Sequence, residues 1–202
     1  MKLYDSAMAP NPRRVRIFLA EKGISVPTVQ VDLGKAETRQ PEFLKKNPMG
    51  AVPVLELDDG RLLTESVAIC RFFEERRPQP PLFGVDATDR AFVEMWNRRM
   101  ESEIFQRVAH TFQNTHDFFK GRIQQVPEYG EVCRKHALMR MAWLDGELAS
   151  REFVAGDRFT IADITALCGV DFGRVVNIRI EPAWKNLQRW HEGVSSRPSA
   201  KA

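Results

Sequence analysis

The chain has only three cysteines, Cys70, Cys133 and Cys168, and no two of them stand in a CxxC pair. An odd, scattered set of this kind argues against a disulfide framework or a thiolate metal site and reads as buried, reduced thiols. No HExxH segment or Cys/His cluster is present, so no metal is expected. A run of about 18 apolar residues is also missing, which leaves no candidate for a membrane-spanning helix. Met1-Lys2-Leu3-Tyr4-Asp5 enters a strand-like segment with no signal-peptide pattern, and the expected location is cytoplasmic. Neither sign of charge dominates: 30 basic residues against 27 acidic ones give a net charge of +3 spread along the chain, without the concentrated basic footprint of a nucleic-acid binder. Internal repeats and low-complexity tracts are absent as well.

What is present suffices for a substantial core. A chain of 202 residues that is 43% hydrophobic buries roughly 70% of its unfolded surface, enough for one large core or two small ones. Lys2-Leu3-Tyr4 reads as a first strand. Asn11-Pro12 opens a helix, with Asn11 as N-cap and proline at the first helical position; Val15, Phe18 and Leu19 give it an apolar stripe, and Gly23 ends it. Thr28 to Val31 is a second strand and Pro41 to Lys46 a short helix. Val54 to Leu57 and Arg61 to Leu63 form a hairpin closed by Asp59-Gly60, and Ser66 to Arg77 is a further helix. The order βαβ, α, ββα predicts an α/β N-terminal domain, thioredoxin-like, over residues 1–77, built on a four-stranded mixed sheet.

Pro78-Gln79-Pro80-Pro81 breaks the pattern, and residues 78–86 read as a linker. Helical periodicity dominates residues 87–202, predicting an all-α C-terminal domain. Phe92, Met95, Trp96 and Met100 share one face of a helix running from Thr88 toward His110, and Leu138, Met141, Ala142 and Leu148 share a face of another. Thr160-Ile161-Ala162-Asp163 is a capping box, with Phe159 and Ile164 placed as its hydrophobic staple. Trp184, Leu187, Trp190 and Val194 mark a last amphipathic helix.

Two short motifs carry the chemistry. Val52-Pro53 ends a loop just before an apolar strand, where a cis peptide can aim the main chain of Val52 at another peptide. Glu65-Ser66 opens a helix, so terminal amides and a hydroxyl can meet a carboxylate while Glu65 meets an ammonium. Together they suit a ligand with a peptide-like middle and a free α-amino acid end, which describes glutathione.

Lys2-Leu3-Tyr4, Arg14-Val15-Arg16, Pro41-Glu42-Phe43-Leu44, Asn47-Pro48, Val52-Pro53-Val54-Leu55 and Glu65-Ser66 resemble, in order and spacing, the first domain of a cytosolic glutathione S-transferase. Gly156-Asp157-Arg158-Phe159-Thr160-Ile161-Ala162-Asp163 resembles that family's second domain. The resemblance implies a homodimeric detoxification enzyme, conjugating the glutathione thiolate to a small hydrophobic electrophile. It also implies that Val52 and Pro53 present the main chain to the cysteinyl unit, that Glu65 and Ser66 hold the γ-glutamyl end, and that Arg39 faces the glycyl carboxylate; Thr38 stands where some relatives carry histidine. Alternative readings are a glutathione-dependent isomerase, although the Ser-Ser-Cys stretch of maleylacetoacetate isomerases is absent at positions 9 to 11, and a noncatalytic glutathione- or ligand-binding module.

The chemistry needs a stabilised thiolate. A free thiol has a pKa of about 8.5, and lowering it by ~2 units takes roughly 2.7 kcal/mol, the work of one or two charge-assisted hydrogen bonds. Most relatives supply a Tyr, Ser or Cys donor near the first helix, but here the corresponding stretch is Ala9-Pro10-Asn11-Pro12. Ser6, Tyr4 and Asn11 are the local substitutes. The chain is similar to atypical fungal and bacterial transferases that lack that residue and are thought to activate the thiol through a water held by the second domain. This resemblance points to the polar segment Arg107 to His116, with His110 first and His116 second; the alternative is that both are ordinary helix residues. On one unbroken helix they point about 120° apart, so both serve one site only if the helix bends or ends between them. The electrophile pocket is expected after Met8 and along His110 to Phe119, including Phe112, Phe118 and Phe119.

Overall fold

Strand β1 (Lys2–Asp5) sits inside a four-stranded mixed sheet of order β2-β1-β3-β4, parallel to β2 (Thr28–Gln30) and antiparallel to β3 (Val54–Glu56), which pairs antiparallel with β4 (Leu62–Thr64). The parallel β1–β2 pair requires a crossover, and α1 (Pro10–Lys22) supplies it. Helix α1 stops at Gly23, whose φ of 59° is left-handed and whose N–H donates to the Ala20 carbonyl at 3.0 Å. Helices α2 (Pro41–Leu44) and α3 (Ser66–Arg76) complete this unit, and α3 packs against α1.

The start of α1 differs from the sequence expectation. Its N-cap is Ala9, Pro10 holds the first helical position, and Asn11 lies inside the first turn with no capping bond from its side chain. Two prolines two residues apart both suit a first turn, and the helix takes the earlier one.

Strand alternation divides the core. Tyr4, Val31, Phe43, Val52 and Val54 form one buried cluster, with the Tyr4 and Phe43 rings edge to face at 6.3 Å. Leu3 and Leu55, their neighbours along the strands, point to the opposite face and are buried as well. The hydroxyl of Tyr4 donates to Glu56 Oε2 at 2.8 Å, so it is committed to the sheet.

Met1–Pro81 together with Lys201–Ala202 forms one unit, and Leu82–Ala200 a second; the computed structural model describes all residues 1–202. The proline-rich segment is tied to the first unit by Lys22, a buried lysine whose ammonium donates to the carbonyls of Arg77 at 2.9 Å, Pro78 at 3.2 Å and Pro80, and pairs with Glu74 at 2.5 Å. Leu82 and Phe83 are buried, and the Leu82 carbonyl accepts from the Ile161 amide at 3.0 Å within the second unit.

The second unit is helical. Helix α4 (Ala87–Arg99) passes through a π-helical stretch, Met100–Phe105, into α5 (Gln106–Thr115), and α6 (Pro127–Glu147), α7 (Ile161–Phe172) and α8 (Lys185–Ser195) follow. The buried face of α4 is Val93, Trp96 and Asn97, continued by Met100, whereas Phe92 is exposed. On α6 the buried side chains are Cys133, Ala137, Met141 and Leu144 rather than Ala142. The capping box forms as read: Asp163 accepts from the Thr160 amide at 2.9 Å, and Thr160 Oγ1 accepts from Ala162 at 3.3 Å. Asp163 also accepts from the Val154 amide at 2.8 Å and the Trp190 indole at 2.9 Å. All three cysteines are free and buried.

Candidate functional site

The Val52 side chain is anchored in the sheet core, while its main chain is left open. The Val52-Pro53 peptide is cis, and neither the N–H nor the C=O of Val52 has a hydrogen-bond partner in the chain. Residues just before it are fixed by Asn47, whose buried amide donates to the Ala51 carbonyl at 2.8 Å and accepts from the Met49 amide at 3.1 Å. A free peptide edge on a rigid loop is a ready partner for an extended ligand, since an unpaired main-chain pair gains hydrogen bonds by binding.

Strand register brings the second motif to the same place. Val54 pairs with Thr64, so Val52, two residues before β3, and Glu65, directly after β4, lie at one end of the hairpin. Glu65 adopts φ 66° and ψ 115°, an uncommon conformation for a residue with a side chain, and its carboxylate is exposed with no capping role in α3. Ser66 is buried, and its hydroxyl oxygen accepts from Arg14 Nη1 at 2.9 Å. With that lone pair occupied by a cation, the Ser66 proton remains to be donated to an anion at the first turn of α3. Arg14 thus supports Ser66 at this corner, whereas the sequence reading used it only for alignment; a buried arginine one turn from Phe18 on the apolar side of α1 is the signal that marks it.

Arg39 closes a third side. A side chain at Gly50, where φ is 61°, would lie 2.9 Å from Arg39 Nη1 and 3.0 Å from the Thr38 carbonyl, so glycine lets the exposed Arg39 lie against the loop that leads to Val52. Lys35 faces Asp32 at 3.6 Å and Lys46 faces Glu56 at 3.9 Å, whereas Arg39 is paired with no carboxylate of the chain. The corner thus offers an acid, a hydroxyl donor, a free peptide edge and an unneutralised cation.

Near α1, Ala9 packs against the Val52 cluster and offers no donor. Tyr4 is spent on Glu56, and Ser6 is buried with its carbonyl accepting from the Ala9 amide at 3.0 Å. The half-buried side chain of Asn11 has no hydrogen bond within the chain. Pro10 and Pro12 lack N–H groups, so Asn11 also holds the one amide among the first three helical residues.

In the second unit α5 ends at Thr115, between the two histidines, and His116 is extended at φ −95° and ψ 140°. His116 Nδ1 accepts from the Phe118 amide at 3.1 Å, and its carbonyl accepts from Gln125 Nε2 at 3.0 Å. His110 Nδ1 lies 3.3 Å from the Tyr129 hydroxyl, and burial, followed by the nearby Arg107 cation, lowers its pKa below the usual histidine value. Asn114 is structural: its amide donates to the His110 carbonyl at 2.9 Å, and its oxygen accepts from the Val126 amide at 2.9 Å. The Phe112 ring lies 6.0 Å from Phe118, 5.2 Å from Phe119 and 5.1 Å from Phe172, forming an aromatic cluster beside His116. No group of three or more His, Cys, Asp or Glu side chains is placed to hold a metal ion, and no helix is long and apolar enough to cross a membrane.

Comparison with known proteins matches both parts of the chain to one family. Residues 3–81 match the family model described as glutathione S-transferase, N-terminal domain, and residues 109–198 match glutathione S-transferase, C-terminal domain. The chain is 38% identical to Glutathione S-transferase 2 of Saccharomyces cerevisiae, over 100% of this chain and 88% of that protein. It is similar in structure to a glutathione S-transferase domain-containing protein of Marinobacter aquaeolei, with a TM-score of 0.95 and 39% identity over 98% of this chain and 99% of the other. A shorter similarity, 45% identity over 45% of this chain and 44% of the relative, links it to a maleylacetoacetate isomerase of Pseudomonas aeruginosa.

Proposed function

Because the chain belongs to the glutathione S-transferase family, we propose that it binds glutathione at the corner before β3 and after β4, and conjugates the thiolate to hydrophobic electrophiles. The observation that carries this reading is the unpartnered main chain of Val52, set at the same end of the hairpin as Glu65 and Ser66. In this assignment Val52 pairs with the cysteinyl backbone ahead of Pro53, Glu65 takes the ligand's ammonium, Ser66 donates to its α-carboxylate, and Arg39 meets the glycyl carboxylate.

The chemical step follows from the same groups. The thiol loses its proton to water, the sulfur electron pair forms a bond to the electrophilic carbon, and the leaving group departs with its own pair. Asn11 is proposed as a thiolate donor in place of the residue missing at Ala9, and His110 and His116 as the further polar groups of the reaction. Positioning and anion stabilisation then supply the rate. A homodimer and a cytoplasmic location belong to the same proposal, on family resemblance.

Titrating the protein with glutathione in a calorimeter, and reading bound thiolate by ultraviolet absorbance, tests the assignment. Saturable binding with a lowered thiol pKa and turnover of chlorodinitrobenzene is the expected result; binding without thiolate points to a carrier, and no binding removes the reading.

A further inference from the structure

We infer that Asp5, Arg16 and Gln30 form a clamp on the turn ahead of α1, and that by fixing this turn they place Asn11 for the glutathione thiolate. The inference rests on the reading of Asn11 as a thiolate donor, and every residue of the clamp belongs to the first unit.

Ser6 to Ala9 join β1 to α1 in a tight turn, closed by the Ala9 amide donating to the Ser6 carbonyl at 3.0 Å. Its tip has no side-chain packing to hold it, since Ala7 is exposed and Met8 is 90% exposed. A surface turn of this kind ordinarily belongs to the least stable part of a fold. Here its main chain is gripped from both sides. Gln30 Oε1 accepts from the Ala7 amide at 3.2 Å, and Arg16 Nη2 donates to the Ala7 carbonyl at 3.3 Å, with Arg16 Nη1 also 3.5 Å from the Ser6 carbonyl. Both grips end on one buried carboxylate: Asp5 Oδ1 accepts from Arg16 Nη1 at 2.6 Å, and Oδ2 accepts from Gln30 Nε2 at 2.9 Å. The bonds close a ring from Asp5 through Arg16, Ala7 and Gln30 back to Asp5, anchored on β1, α1 and β2.

The clamped turn leads straight into the proposed donor. Ala9, the N-cap of α1, makes no side-chain capping bond, and Pro10 and Pro12 carry no amide, so the first turn of the helix takes its placement from the turn in front of it. The Ala9 carbonyl accepts from the Arg13 amide at 3.2 Å, which carries that placement into the helix around Asn11. A donor stabilises an anion most when it is aimed before the charge develops, and a misplacement of about 1 Å can cost on the order of a hundredfold in rate. Arginine suits the clamp because its planar fork reaches the turn and Asp5 at once, whereas a lysine ammonium is a single point of charge. Asp5, Arg16 and Gln30 are positioning residues in this scheme.

The experiment compares the full-length protein with Gln30→Leu, Arg16→Lys, Asn11→Ala and the double variant Asn11→Ala/Gln30→Leu. It reads the pH midpoint of bound-thiolate absorbance, kcat with chlorodinitrobenzene against pH, the Kd of S-methylglutathione, and Tm. Gln30 is exposed, so its replacement spares the core, and Arg16→Lys keeps a cation beside Asp5 while losing the fork. Gln30→Leu and Arg16→Lys should each raise the thiol midpoint by about one unit, the effect of one misaimed donor. On the acid side of the midpoint the rate follows the thiolate fraction, so kcat should fall about tenfold there and recover at alkaline pH. S-methylglutathione, which has no thiol to ionise, should bind as it does to the native protein. The double variant should match Asn11→Ala alone, because the clamp acts through Asn11. A lowered Tm with a native midpoint and a native pH profile would make the clamp part of the framework only and overturn the inference, as would effects that add in the double variant. A native midpoint in Asn11→Ala removes the underlying reading of Asn11 and the inference with it.

Discussion

Ser66→Ala separates binding from support at the proposed glutathione corner. In the folded chain Ser66 is buried and its oxygen accepts from Arg14 Nη1 at 2.9 Å. Alanine removes that acceptor and the outward proton together. Loss of the buried bond to Arg14 should cost about 1–2 kcal/mol of stability, lowering Tm by about 2–8 °C for a chain of this size. Loss of a hydrogen bond to a ligand carboxylate should cost about 1.5–3 kcal/mol of affinity, or roughly 10- to 100-fold in Kd. Calorimetry reads the second effect and thermal unfolding the first. The dipeptide cysteinylglycine, which lacks the γ-glutamyl end, provides the control: its weak binding should be indifferent to the substitution. A lowered Tm with unchanged glutathione Kd would make Ser66 part of the framework alone and refute its assignment to the ligand.

Arg39→Leu should weaken glutathione about tenfold and leave γ-glutamylcysteine, which has no glycine, unaffected in the same titration; an equal effect on both ligands would show that Arg39 acts on the loop and not on the glycyl carboxylate. Asn11→Ala should raise the pKa of bound glutathione by about one unit, the worth of a single donor, measured as the pH midpoint of thiolate absorbance, with Kd little changed. Lys22→Met should destabilise the first unit by about 3–5 kcal/mol, since three carbonyls and Glu74 lose a buried cation; denaturant unfolding reads this directly, and a loss below ~1 kcal/mol would mean that the ammonium is not desolvated as described.

Features written into a few consecutive residues were legible before the structure. The capping box at Thr160 to Asp163, the turn at Gly23, the short helix at Pro41 and the paired motifs Val52-Pro53 and Glu65-Ser66 all depend on local chemistry, and each stands where the sequence places it. What failed was local ambiguity or long-range pairing. Pro10 and Pro12 both satisfy the rule for a first turn, and only the folded helix chooses between them, freeing Asn11 from the capping role. The bond from Arg14 to Ser66 spans 52 positions and that from Tyr4 to Glu56 another 52, so neither has a sequence signature. On α4 the sequence stripe began at Phe92, but the buried face begins one residue later, at Val93, and runs on into a π-helical segment that no 3.6-residue period describes. The contact between His110 and Tyr129 joins two helices whose packing the periodicity does not specify.

Hydrogen exchange at the Val52 amide tests the central claim most directly, because that N–H has no partner in the chain. Saturating glutathione should protect it strongly, with the half-effect at the calorimetric Kd. Exchange at Val52 that stays fast while glutathione is demonstrably bound would contradict the account.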